Sequence, residues 1–198
     1  MTDRPHHRPT QPGDGFFADI AGGVDPAAVR EAGDLAATLL VRGARDSQDA
    51  DMVERVVHLA ENEGLETLAE VWSGAPADTL AGCLWRLYVL RSWVYADPVR
   101  VAREFEAGQP RAQVARVVAG VAHPPGPDEL RTMVDEVLRG IATGDFAVTL
   151  LRAAAFARVV ATGRATLEEG TTAETSRMLT LAEQLESAGH LELRDALA

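Results

Sequence analysis

Three observations predict an all-α fold for this chain. Apolar residues recur at helical spacing, proline repeatedly follows a capping residue, and polar–apolar alternation of the strand type is missing. The expected architecture is an irregular bundle of about nine helices around two central apolar ones. A stack of helical pairs, an α-solenoid, is the alternative. Units from Asp49 to Tyr95 would suit it, but no fixed repeat period occurs.

Taken in order, residues 1–24 read as a flexible arm. Pro5, Pro9 and Pro12 interrupt it, and its large apolar residues are confined to Phe16, Phe17 and Ile20, which could dock as a short turn. Residues 25–198 read as a single helical domain. A subdivision could fall near residue 125, where His123-Pro124-Pro125-Gly126-Pro127 makes a rigid extended connector. Asp25-Pro26, Asp97-Pro98, Gln109-Pro110 and Gly126-Pro127 read as helix starts, since proline at the first helical position gives up an N–H that would be unpaired anyway. Thr171 and Glu174 have the spacing of a capping box. Gly43, Gly64, Gly108, Gly163 and Gly189 stand where helices should stop.

Apolar stripes fill the spaces between these signals. Val53, Val56, Val57 and Ala60 form one; Leu130, Met133, Val134, Val137, Leu138 and Ile141 form another; Met178, Leu181, Ala182 and Leu185 form a third. Leu80 to Val94 and Phe146 to Val160 are apolar almost all the way round. Such helices need neighbours on every side, so these are the two expected at the centre.

Composition narrows the function classes. All 19 basic residues are arginine, so Schiff-base and pyridoxal-phosphate chemistry and a phosphate-loop lysine are excluded. The net charge of −11 opposes duplex nucleic acid and anionic membrane surfaces, because no local run of arginine offsets it. No stretch approaches the ~20 apolar residues of a membrane span, and residues 1–15 lack the apolar core of a signal peptide. Cys83, the single cysteine, permits no internal disulfide and fits a reducing compartment, so a cytoplasmic location is expected.

The catalytic inventory is thin. No two histidines stand at i, i+4 on a helix, and neither a Gly-x-Ser-x-Gly elbow nor a Gly-x-Gly-x-x-Gly fingerprint occurs. No metal, cofactor or catalytic residue is expected. Cys83, inside the most apolar helix, reads as a small core residue. Arg86 and Arg91 lie five apart on one apolar helix, about 140° round its axis, and Arg152 is set in another. A guanidinium buried there needs a carboxylate, Asp145 among the nearest, or an anionic ligand, with Asp145 then an acid or base. Trp85, Val89 and Trp93 make a stripe at spacing four, with Trp72 ending the preceding helix. These tryptophans are either core or a hot-spot surface for a protein partner.

These segments resemble a group of uncharacterised all-helical actinobacterial proteins. The resemblance rests on Leu84-Trp85-Arg86-Leu87-Tyr88, Ala119-Gly120-Val121-Ala122-His123-Pro124-Pro125, Leu138-Arg139-Gly140, Gly144-Asp145-Phe146 and Arg152-Ala153-Ala154-Ala155-Phe156, and it covers roughly residues 25–165. Members often carry the labels DNA-binding protein or RNA polymerase subunit, so the resemblance implies a lineage and a link to transcription. Two functional readings stand side by side. One is a non-enzymatic module binding a protein partner or a second copy of itself; the other is a helical domain holding an anionic ligand between the two central helices.

Overall fold

The computed structural model of this chain describes residues 25–42, 69–112, 119, 126–132 and 145–198. Among them every regular element is helical, so the all-α class holds. Five helices are described in full: α1 (Pro26–Arg42), α2 (Leu80–Ala96), α3 (Pro98–Gly108), α4 (Phe146–Leu167) and α5 (Thr172–Glu192). Residues 69–72 close a further helix and residues 127–132 open another, seven among the described residues where about nine were expected for the chain.

Two of the glycines read as helix stops are not stops. Gly163 and Gly189 lie inside helices of 22 and 21 residues. Their work is close packing instead. A Cβ on Gly163 would lie 1.5 Å from the Glu104 carbonyl oxygen, and one on Gly108 would lie 2.0 Å from that of Val159. The backbones of α3 and α4 therefore touch at a point where no side chain fits. Gly108 does end α3, as expected. Gln109-Pro110 does not start a helix: with Arg111 it forms a turn, in which the amides of Arg111 and Ala112 both donate to the Gly108 carbonyl.

The remaining start signals act through their caps. Asp97 accepts from the amide of Arg100, and Thr171 and Glu174 complete a reciprocal capping box; Asp145, not among the expected starts, caps α4 by accepting from the Val148 amide. Pro26 and Pro98 take the first helical position of α1 and α3. The arm (residues 1–24), Gly43, Gly64, the Val53 stripe, the stretch from Met133 to Ile141 and the connector at 121–125 lie outside the described residues.

α4 is the centre of the described structure. It packs most extensively along α5 and next along α3, while α2 packs mainly on α1 and touches α3, α4 and α5 more lightly. Phe105 and Phe156 stack at 5.4 Å between α3 and α4. At 22 residues α4 is long and apolar enough to cross a membrane by length and composition, contrary to the sequence reading; 72 % of its apolar window is buried inside the protein, as in a core helix. Three tertiary polar links fix the periphery. Trp72 Nε1 donates to the Gly33 carbonyl of α1 at 2.9 Å, Arg42 pairs with Glu192 of α5, and the Leu80 amide donates to the Ala198 backbone oxygen at 2.7 Å.

α2 departs from the sequence expectation in an instructive way. Its sequence is apolar all round, yet Trp85, Arg86, Tyr88, Val89, Arg91, Ser92 and Trp93 are only half-buried. One side of an apolar helix is thus incompletely covered.

Candidate functional site

The uncovered side of α2 faces α5 across a groove. Two cavities of about 340 Å³ each share Val89, Arg177 and Leu181, and so run together along the two helices. At one end the groove is lined by Trp85, Arg86, Thr180 and Gln184, and at the other by Trp93, Arg100, Arg164, Glu174 and Met178. The helical spacing of four in α2 puts Trp85, Val89 and Trp93 in one row. α5 supplies the opposite wall because Leu181 is half-buried at the groove, whereas its stripe partners Met178, Ala182 and Leu185 are buried.

Arg86 anchors the first end. Its Nε donates to Gln184 Oε1 at 2.7 Å and its Nη1 to the Gly82 carbonyl at 2.7 Å. Both partners are neutral, and no carboxylate among the described residues pairs with it. Burial pushes the Arg86 guanidinium below its ordinary value, and Cys83 and Asp78 act in the opposite direction; arginine stays charged even so. Trp85 stacks on Tyr88 at 5.8 Å.

The second end is built on a buried ion pair. Glu104 is fully buried at 0 % exposure and Arg164 is 3 % exposed. Arg164 engages the carboxylate with two hydrogen bonds, Nε to Oε1 at 2.8 Å and Nη2 to Oε2 at 3.0 Å. Arg100 Nε donates to the same Oε1 at 2.9 Å, so one carboxylate serves two guanidiniums. Arg164 also sits 5.1 Å from the Trp93 ring centre. Glu174 is held below the ordinary carboxylate value, first by the backbone amide of Thr171 and further by the nearby charges of Arg100 and Arg164.

The sequence-predicted residues divide sharply. Trp85, Trp93 and Arg86 come together in the groove. Trp72, at 2 % exposure, belongs to the core. Arg91 lies over the Tyr95 ring at 4.2 Å. Asp145 is an exposed cap of α4, its side chain accepting the Val148 amide at 3.3 Å. Arg152 is half-buried seven residues further along, makes no hydrogen bond or ion pair among the described residues and lines neither cavity. The four residues proposed to hold an anion are therefore not gathered around one point. Cys83 is wholly buried, its thiol pushed up to about 12 by burial, which leaves it protonated and unreactive at neutral pH.

Sequence reasoning missed Glu104, Arg164, Arg100, Arg177 and Gln184. One of them left a readable signal. Glu104 stands three after Val101 and four before Gly108, on the face that α3 buries. A glutamate on an apolar stripe calls for a cation from the neighbouring helix. Among the described residues no group of three or more His, Cys, Asp or Glu side chains could hold a metal ion. Comparison with protein-family models, with curated proteins and with solved structures finds no match to this chain.

Proposed function

We propose that this protein is a non-enzymatic interaction module and that the groove between α2 and α5 receives an amphipathic helical segment of a protein partner bearing acidic side chains. The observation that carries this reading is the row Trp85, Val89 and Trp93, half-buried along a helix whose sequence demands full cover. Aromatic residues interleaved with arginine are the side chains that dominate binding energy at protein interfaces. A helix laid in a groove is an established mode of peptide recognition, with apolar anchors entering at turn spacing. The groove is long and open-ended, and it holds no paired nucleophile and base. That chemistry suits a chain segment better than a reacting small molecule. The resemblance to proteins labelled as RNA polymerase subunits makes the transcription apparatus the first place to look for the partner.

The test uses capture from a native lysate by the full chain and by two surface variants. Leu181→Arg fills the middle of the groove, whereas Val148→Arg changes an apolar residue, 47 % exposed, at the start of α4. A stoichiometric protein partner retained by the wild type and by Val148→Arg but lost from Leu181→Arg supports the reading. Equal retention by both variants, or no stoichiometric partner at all, overturns it.

A further inference from the structure

The charges around the groove say what kind of segment it takes, an inference that rests on the docking reading above. Four guanidiniums line it: Arg86, Arg100, Arg164 and Arg177. Against them stand one lining carboxylate, Glu174, and the buried Glu104 that Arg100 and Arg164 share. Four positive charges less two negative leave the groove with a surplus of two, in a chain whose net charge is −11. The groove is therefore opposite in sign to the molecule that carries it. Two of the cations have no direct ion pair among the described residues: Arg86 hydrogen-bonds only neutral oxygens, with the Asp78 charge acting on it from nearby, and the exposed Arg177 makes none.

The geometry fixes a spacing as well. Trp85 and Trp93 are eight residues apart on α2, about 12 Å at the helical rise. Arg86 lies beside the first, Arg100 and Arg164 beside the second, and Arg177 between, with Val89 and Leu181 forming an apolar floor in the middle. We infer that the partner segment is an acidic amphipathic helix with a two-turn apolar stripe and a carboxylate at each end, about seven or eight residues apart. One carboxylate meets Arg86. The other meets the exposed Arg177, since Glu104 and Glu174 offset Arg100 and Arg164 near Trp93. Because the chain as a whole carries a net charge of −11, an acidic segment is not drawn to it in general but to this groove, so charge supplies placement and the apolar row supplies hold.

The experiment pans a random 12-residue peptide library, displayed on phage, against the immobilised full chain. The most enriched peptide is then titrated in solution at low and high salt. The titrations use wild type, Arg86→Gln, Arg177→Gln and Leu181→Arg, each first checked for native helix content. The expected peptides carry net negative charge, with acidic residues flanking aromatic or aliphatic ones. Arg86→Gln and Arg177→Gln should each weaken binding about tenfold at low salt and less at high salt, and Leu181→Arg should abolish it. The exposed Arg177 can be changed without touching the fold, so the test survives a failure of Arg86→Gln to fold. Neutral peptides that bind wild type, ignore both glutamine variants and are lost on Leu181→Arg would overturn the charge inference and leave the docking groove intact. Peptides indifferent to Leu181→Arg, or no enrichment at all, would overturn both.

Discussion

At the scale of single residues, the most consequential feature is a glutamate with no exposure at all. Glu104 sits in the core where Arg164 grips its carboxylate with two hydrogen bonds and Arg100 adds a third. Desolvating such charges costs several kcal/mol each, and the pair recovers this only while both members are present. Removing one partner should therefore hurt far more than removing both. Glu104→Ala is expected to lose about 3–5 kcal/mol of unfolding free energy, since Arg164 would be left buried and unpaired. Glu104→Leu combined with Arg164→Met should return close to wild-type stability, with Arg100 free to turn its partly exposed side chain to water. Urea denaturation of the full chain separates the cases. If the double variant is as unstable as Glu104→Ala, the pair does more than balance its own charges, and the stacking of Arg164 on Trp93 becomes the next contact to examine.

Among the helices, what could be read from sequence was what local chemistry decides. Leu80 to Val94 and Phe146 to Val160 were legible as helices because their apolar runs are too long and too uniform for anything else, and the structure extends them only to Ala96 and Leu167. Two caps were legible for the same reason, since Asp97 and Thr171 each act within three residues of themselves, whereas the cap Asp145 was read instead as a partner for buried arginine. Gly163 was not, because its reason for being glycine is the Glu104 carbonyl of another helix. Nor was the division among the tryptophans. Trp72 and Trp93 look alike in sequence, and only the placing of α1 against one and the groove beside the other tells core from surface. The capping box offers the cleanest test of an element standing on local chemistry. Thr171→Ala leaves the Glu174 amide without its side-chain acceptor at the start of a 21-residue helix, and should cost about 1 kcal/mol. Glu174→Gln keeps a side-chain acceptor for the Thr171 amide and should cost less. Thermal unfolding of the two variants would rank them, and the reverse order would mean that the charge of Glu174 near Arg100 and Arg164 matters more than the cap.

Across the whole molecule, stability and exposure are distributed unevenly, and that unevenness bears on the docking groove. α4 buries 14 of its 22 residues between α3 and α5, whereas α1 buries only Gly33 and Ala37 of its 17. α2 lies between these extremes: its buried side joins the core, and its other side borders the groove. Amides should therefore exchange with solvent in a graded order. Exchange protection follows the free energy of the local or global opening that exposes each amide, and buried apolar contacts are what that opening must break. Native-state hydrogen exchange is expected to show α4 slowest, opening only with global unfolding, with the α5 amides that face α4 close behind. α1 should be fastest, since it buries only two residues and packs on the rest mainly through α2, with the Trp72–Gly33 hydrogen bond and the Arg42–Glu192 pair among its tertiary links. Occupancy of the groove should then slow exchange in α2 and in the groove-facing turns of α5 while leaving α4 unchanged, because a ligand stabilises only openings that would release it. Slowing spread evenly over all five helices would mean instead that the segment binds elsewhere or that the molecule opens as one unit.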